Sequence, residues 1–288
     1  MSESLNHQLR RELVPGAGMI LPGAANALAA RLIEQAGHRV LMVSGAAIAN
    51  SYLGMPDIGL VSVSELVAHV AAVREAVGIP IFADADTGFG NALNVRRTVR
   101  QLEAAGANGI MIEDQTAPKR CGHFDGKDVV PMAEMVGKIK AAVDARHDDG
   151  LVILARTDAR AVEGLEGALA RAAAYQEAGA DALFIEAPLT RDELLSIPRL
   201  SPGIHLCNMV IGGKTPLLPR EELAAAGYAA IGYANAALQA AMLAMRNILR
   251  HLHEHGSIAG AEDQLLMFKE RQEALDTARY RELEMRYT

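Results

Sequence analysis

This chain predicts an α/β fold in which eight β/α units close into a (β/α)8 TIM barrel, and three observations point to it. Ala-rich helical stretches end four times on a glycine: Gln-Ala-Gly-His at 35–38, Ala-Ala-Gly-Ala at 104–107, Glu-Ala-Gly-Ala at 177–180 and Ala-Ala-Gly-Tyr at 225–228. Each glycine stands where a left-handed cap would stop a helix. Each is followed within a few residues by an apolar run of strand length, and the alternation recurs through most of the 288 residues. Strict alternation with near-continuous apolar strands indicates a parallel sheet covered by helices, and eight units favour closure.

In order, the strands are expected near 18–21, 40–43, 79–84, 109–113, 151–156, 182–186, 204–209 and 229–233. Helical periodicity marks 26–37, 63–77, 93–106, 132–146, 165–179, 192–197 and 220–227, and a longer helix over 236–255. Residues 1–288 read as one barrel domain, with 236–288 as a C-terminal helical extension whose Ala/Glu/Leu-rich part, 261–285, the barrel does not need. The one long irregular piece, 114–130, holds Lys-Arg-Cys-Gly-His at 119–123 and two glycines, the composition of an active-site lid.

Half the residues are apolar, enough for a large core, and the apolar runs are broken well before the length a membrane span needs. A soluble, cytoplasmic protein with no membrane partner is expected. A net charge of −7, no basic block and 4% aromatic residues argue against nucleic acid as a partner. Two cysteines do not make a disulfide framework. Cys207 lies in an apolar run and reads as core, whereas Cys121 lies among Lys119, Arg120 and His123.

Barrel chemistry sits at the C-terminal ends of the strands, and polar residues gather there: Ser44 and Gly45, Asp84 and Asp86, Glu113 and Asp114, Arg156 and Asp158, Glu186, and Asn208. Residues 79–90 read Ile-Pro-Ile-Phe-Ala-Asp-Ala-Asp-Thr-Gly-Phe-Gly. Strand alternation would put Asp84 and Asp86 on one face, about 7 Å apart. Two hard oxygen ligands with Glu113 nearby suit Mg²⁺ or Mn²⁺; the competing reading is a solvated strand end or a helix cap. Asp57, after Pro56, divides evenly between turn and site. Arg156 ends an apolar strand and should meet a carboxylate, Glu186, Glu113 or that of a substrate. Asn208 reads equally as a core amide or a ligand. The basic neighbours of Cys121 should lower its thiol pKa and let it transfer protons near neutral pH; otherwise it is an exposed loop thiol.

The ordered motifs resemble the isocitrate lyase and phosphoenolpyruvate mutase superfamily, in its branch of 2-methylisocitrate, dimethylmalate and petal-death-type lyases and carboxyphosphonoenolpyruvate mutases. They are Ser-Gly-Ala at 44–46, Leu-Gly-Met-Pro-Asp at 53–57, Ala-Asp-Ala-Asp-Thr-Gly-Phe-Gly at 83–90, Ile-Glu-Asp-Gln at 112–115, Pro-Lys-Arg-Cys-Gly-His at 118–123, Ala-Arg-Thr-Asp at 155–158, Glu-Ala-Pro at 186–188, Asn-Met-Val at 208–210 and Gly-Gly-Lys-Thr-Pro at 212–216. The resemblance implies an Mg²⁺-dependent enzyme acting on a small dicarboxylate, with its last helix exchanged between subunits of a homotetramer. It implies that Asp84 and Asp86 hold Mg²⁺, with Asp57 and Glu113 contributing through its waters. Ser44, Gly45, Ala46, Asp84, Gly122, Arg156 and Asn208 would bind substrate, and Glu186 would position it. Lys119, Cys121 and His123 would ride on the gating loop, with Cys121 as catalytic acid.

Two departures refine this expectation. Methylisocitrate lyases typically carry a Tyr where this chain has Met42, and an Arg after the eighth strand where it has Gln239. Losing a cation weakens the case for a tricarboxylate. A substituted malate, split by retro-aldol cleavage, is the expected substrate; 2-methylisocitrate cleavage, phosphonomutase chemistry and oxaloacetate decarboxylation or hydrolysis are the alternatives.

Overall fold

Parallel strands β1 (Met19–Ala24), β2 (Leu41–Val43), β3 (Ile81–Asp84), β4 (Gly109–Glu113), β5 (Val152–Thr157), β6 (Ala182–Ile185), β7 (His205–Asn208) and β8 (Ala230–Tyr233) pair in sequence order. β8 pairs back onto β1, closing the barrel in a computed structural model that describes residues 4–288. The helices that cover it are α2 (Ala27–Gln35), α4 (Val63–Ala76), α5 (Ala92–Ala104), α6 (Met132–Ala145), α7 (Arg160–Glu177), α8 (Arg191–Leu200) and α9 (Arg220–Ala226). α1 (Leu5–Glu12) precedes the barrel, and the short α3 (Gly45–Ile48) runs on into a π-helical turn, Ala49–Leu53. Gly37, Gly106, Gly179 and Gly227 all have positive φ, as the repeated helix-stop motif requires.

Two apolar layers result from strand alternation. One set of residues, including Val43, Ile81, Ile110, Ile153, Leu183 and Ile231, packs outward against the helices. The alternate set, Leu21, Met42, Phe82, Met111, Leu154, Phe184 and Leu206, fills the barrel interior. The next inward position toward the C-terminal end is polar on six strands: Ser44, Asp84, Glu113, Arg156, Glu186 and Asn208. Period-two geometry thus stacks a charged layer on an apolar floor.

The elements that sequence periodicity does not show are short or held by tertiary contacts. α1 is capped by Ser4, whose side chain accepts from His7 N–H, and Leu9 and the C-capping Leu13 pack into the interior cluster. Arg10 donates to the Gly150 and Asp149 carbonyls, fixing α1 near the N-terminal end of β5. α7 starts at Arg160 rather than at 165, because Gly164 (φ 78°, ψ 179°) separates a first helical turn from the regular helix. α8 runs on through Pro198 to Leu200.

After β8 come α10 (Ala236–His255), α11 (Phe268–Ala274) and α12 (Thr277–Tyr287), the last two divided at Asp276, which has a φ of 57°. None of these three helices has a buried residue. No helix among the described residues is long and apolar enough to cross a membrane.

Candidate active site

The cavity at the C-terminal mouth of the barrel has a volume of about 50 Å³. Its apolar floor includes Leu21, Met42, Met111, Leu154, Phe184 and Leu206. Ser44, Ala46, Asp57, Asp84, Cys121, Gly122, His123, Arg156, Glu186 and Asn208 line it, so the sequence-predicted residues of seven separate segments meet at one place. Gly45, Asp86, Glu113 and Lys119 join through direct contacts with that lining.

Arg156 is the hub of the anion-binding side. Its guanidinium lies 3.2 Å from Glu113 Oε2 and 3.3 Å from Glu186 Oε2, the two partners expected for it. It also donates Nε–H and Nη2–H to Asp158 at 2.9 and 3.1 Å, and sits over the Phe184 ring at 5.5 Å. Burial alone would discharge it, but Asp158, Glu113 and Glu186 together hold its pKa well above the usual arginine value.

On the opposite side are the aspartates. β3 ends at Asp84, so alternation within a strand is not what brings Asp86 beside it, as the sequence reading assumed. Asp86 takes a left-handed backbone, φ 47°, and that turn directs its carboxylate back toward Asp84. Gly45 donates its N–H to Asp84 Oδ2 at 3.2 Å. A Cβ on Gly45 would lie 3.2 Å from Asp86 Oδ1 and 3.4 Å from Asp84 Oδ2, so both oxygens converge on the space a glycine leaves open. Neither aspartate caps α5; Asn91 does.

Lys119 answers how these buried carboxylates coexist. Its ammonium lies 2.5 Å from Asp57 Oδ1 and 2.8 Å from Asp86 Oδ1. Burial opposes its charge, but Asp86, Glu113, Asp84 and Asp57 outweigh burial and raise its pKa. Even so, burial lifts the Asp86 carboxyl to about 7, with Lys119 opposing and Asp84 and Asp57 adding to the rise. Burial likewise pushes Glu113 well above the usual range.

Glu113 Oε1 is buried without a hydrogen-bond partner and Asp86 Oδ1 is met only by the Lys119 ammonium, and an all-oxygen donor set of this kind fits a hard divalent cation. Among the described residues no three acidic, His or Cys side chains form a preassembled metal cluster; the lysine compensates the charge.

The loop over the cavity corrects one expectation. Burial raises the Cys121 thiol above its usual 9.0, where the basic neighbours had suggested a lowered value. The cations are directed elsewhere: Lys119 faces the aspartates, and His123 is pushed toward its neutral form by burial. Cys121 is therefore a protonated thiol near neutral pH, the form a proton donor needs. His123 Nδ1 accepts from Lys214 N–H at 3.0 Å, so a neutral ring carries its proton on Nε2. That Nε2 is buried 3.5 Å from Glu186 Oε1 and makes no hydrogen bond, leaving an unused donor on a residue that lines the cavity.

The sequence reading missed two contributors. Asn235, two residues beyond β8, lines the cavity with a buried Oδ1 that has no partner; its place just beyond a strand end was the available signal. Lys127, four residues after His123, is the other. Asp114, beside Glu113, points away from the cavity. It accepts from Thr157 and Tyr175 at 2.7 Å each and from Asp158 N–H at 2.9 Å, tying β4, β5 and α7 together behind the site. Gln239 is exposed on α10 and is not among the cavity-lining residues.

The family model for phosphoenolpyruvate phosphomutase matches residues 9–253. A 2,3-dimethylmalate lyase of Eubacterium barkeri is 45% identical over 278 residues, covering 96% of each chain. A 2-methylisocitrate lyase of Aeropyrum pernix is 43% identical over 277 residues, covering 96% of this chain and 88% of that one. A crystal structure of phosphonopyruvate hydrolase with oxalate and Mg²⁺ superposes with a TM-score of 0.88 at 36% identity, covering 99% of both chains.

Proposed function

The chain belongs to the phosphoenolpyruvate phosphomutase family and is an enzyme of the isocitrate lyase superfamily, and from that premise we propose that it is an Mg²⁺-dependent carbon–carbon lyase. It cleaves a substituted malate of the 2,3-dimethylmalate kind to a 2-oxo acid such as pyruvate plus a monocarboxylate. The observation that carries this reading is the Cys121 thiol, kept protonated by burial and facing the cavity that Arg156 and the aspartates line.

Asp84 and Asp86 would hold the Mg²⁺, with Asp57 and Glu113 acting on its water ligands; Mn²⁺ offers the same chemistry. The bound cation would lower the pKa of the substrate hydroxyl and favour the departing 2-oxo acid. Arg156 binds a substrate carboxylate, and Ser44, Gly45, Ala46, Gly122 and Asn208 surround the remaining oxygens, with Glu186 orienting Arg156 and His123. As one of the buried carboxylates whose pKa burial raises takes the hydroxyl proton, the C2–C3 bond breaks, the oxygen's pair forms the carbonyl of the 2-oxo acid, and the C2–C3 electron pair passes to C3, where the adjacent carboxylate delocalises it. Arg156 and the Nε2–H of His123 offset that charge, and Cys121 delivers a proton to C3. Lys119 balances the carboxylates from the loop, and the closed loop keeps water from the carbanion.

Met42, Leu206, Val210 and Ala234 present apolar surface to the cavity, which suits alkyl substituents better than a third carboxylate. The family match and the phosphonopyruvate hydrolase likeness favour phosphorus–carbon chemistry as the second reading.

A panel of malate, 2-methylmalate, 2,3-dimethylmalate, 2-methylisocitrate, oxaloacetate and phosphonopyruvate separates the readings. Pyruvate release from 2,3-dimethylmalate, abolished by chelator and by Cys121→Ser, is expected. Turnover of the phosphonate alone, followed by phosphorus NMR, would replace the lyase reading.

The same reading makes the enzyme a helix-exchanged homotetramer. α10 buries none of its residues and exposes Met242, Leu243, Met245 and Leu249, an apolar face suited to a neighbouring subunit. A monomer at micromolar concentration in sedimentation would remove that part.

A further inference from the structure

Lys127 has no role in the chemistry above, yet its side chain is only 1% exposed and its ammonium lies 2.8 Å from Asp158, whose side chain is fully buried. The same Nζ donates to the Gly122 carbonyl, next to Cys121. Asp158 Oδ1 is shared, since Arg156 Nη2 donates to it at 3.1 Å while Arg156 Nε donates to Oδ2 at 2.9 Å. Asp158 is itself fixed from behind, through its N–H to Asp114 Oδ1 at 2.9 Å. One anchored carboxylate therefore holds both the anion-binding guanidinium and, through Lys127, the loop that carries Cys121.

We propose that Lys127 is a positioning residue, a latch that seats Gly122 and Cys121 over the cavity by way of Asp158; the part that concerns proton delivery rests on the lyase reading. An ammonium placed this deep must be paired, and Asp158 is its only ion-pair partner among the described residues. When the loop lifts, Lys127 regains water and Asp158 keeps Arg156 as counter-ion. The latch can therefore release without leaving an unpaired charge in the barrel. For the same reason, removing Lys127 leaves Asp158 paired, so the barrel keeps its fold while the loop loses its anchor.

The test compares Lys127→Met with the parent enzyme by amide hydrogen exchange, with no substrate present, and by steady-state kinetics on whichever panel substrate turns over. Exchange at 120–127 should quicken by about tenfold or more with the β-strand amides and Tm unchanged. The loss should fall mainly on kcat, on the order of 10²-fold, with KM changing far less. In Asp158→Asn the loop should loosen comparably, and the double variant should be no looser than Lys127→Met.

Loop exchange and kcat both unchanged in Lys127→Met would overturn the latch, as would an additive double variant. A loosened loop in a protein that turns over only phosphonates would leave the latch standing and discard the lyase. Should Lys127→Met fail to fold, Lys127→Gln carries the same comparison.

Discussion

Gly122 is where the loop meets the charged layer, and Gly122→Ala tests the closed arrangement with one methyl group. A Cβ there would stand 2.5 Å from Arg156 Nη2, 2.5 Å from Glu186 Cγ and 2.6 Å from Glu186 Cδ. Ordinary carbon contacts begin at about 3.5 Å, so something must give by roughly 1 Å. Arg156 cannot yield readily, since Asp158, Glu113 and Glu186 hold it from three directions. The backbone of Gly122 does not have the positive φ that would penalise alanine, so the contact alone acts. The loop therefore lifts by about the overlap, and Cys121 moves with it.

A misplacement of about 1 Å costs on the order of 10²-fold in rate. Because the loop can move without disturbing the barrel, Tm should stay within about 2 °C of the parent. Steady-state kinetics beside a thermal melt measure both. A kcat/KM within about threefold of the parent would show that Gly122 does not pack against Arg156 and Glu186 in the working enzyme.

Two further outcomes follow from the same structure. Burial disfavours the Cys121 thiolate, so alkylation by iodoacetamide should still be climbing with pH at 9.0 and show no plateau below it, while Cys207, 4% exposed, stays silent; a rate already at its plateau near pH 7 would show a stabilised thiolate. Leu9→Ala removes a fully buried side chain from the plug that α1 makes beneath the barrel. It should cost about 2–5 kcal/mol by urea unfolding, and a loss below about 1 kcal/mol would mean that α1 is not packed there.

Much of the barrel was legible because its signals are local and repeated. The glycines at 37, 106, 179 and 227 stop helices through their own backbone freedom, and strand alternation needs only a neighbour two residues away. The charged layer was legible for the same reason, since Asp84, Glu113, Arg156, Glu186 and Asn208 each follow their apolar floor residue by two positions. α1 was not legible: eight polar-rich residues carry too little pattern, and what holds them is a pocket formed by strands distant in sequence.

Sequence by itself determined the order of the units, the residues offered at the barrel mouth and the loop that carries the only partly exposed cysteine. Which charge faces which was decided by the tertiary structure. Lys119 and Arg120 are neighbours, yet Lys119 sits among Asp57 and Asp86 while the backbone of Arg120 pairs with Gln115. Cys121 lies between basic residues in the chain and is nonetheless held protonated, because burial acts on it and their charges are spent elsewhere. Coulomb energy and desolvation depend on distance and solvent access in space, and neither can be read from separation along a chain.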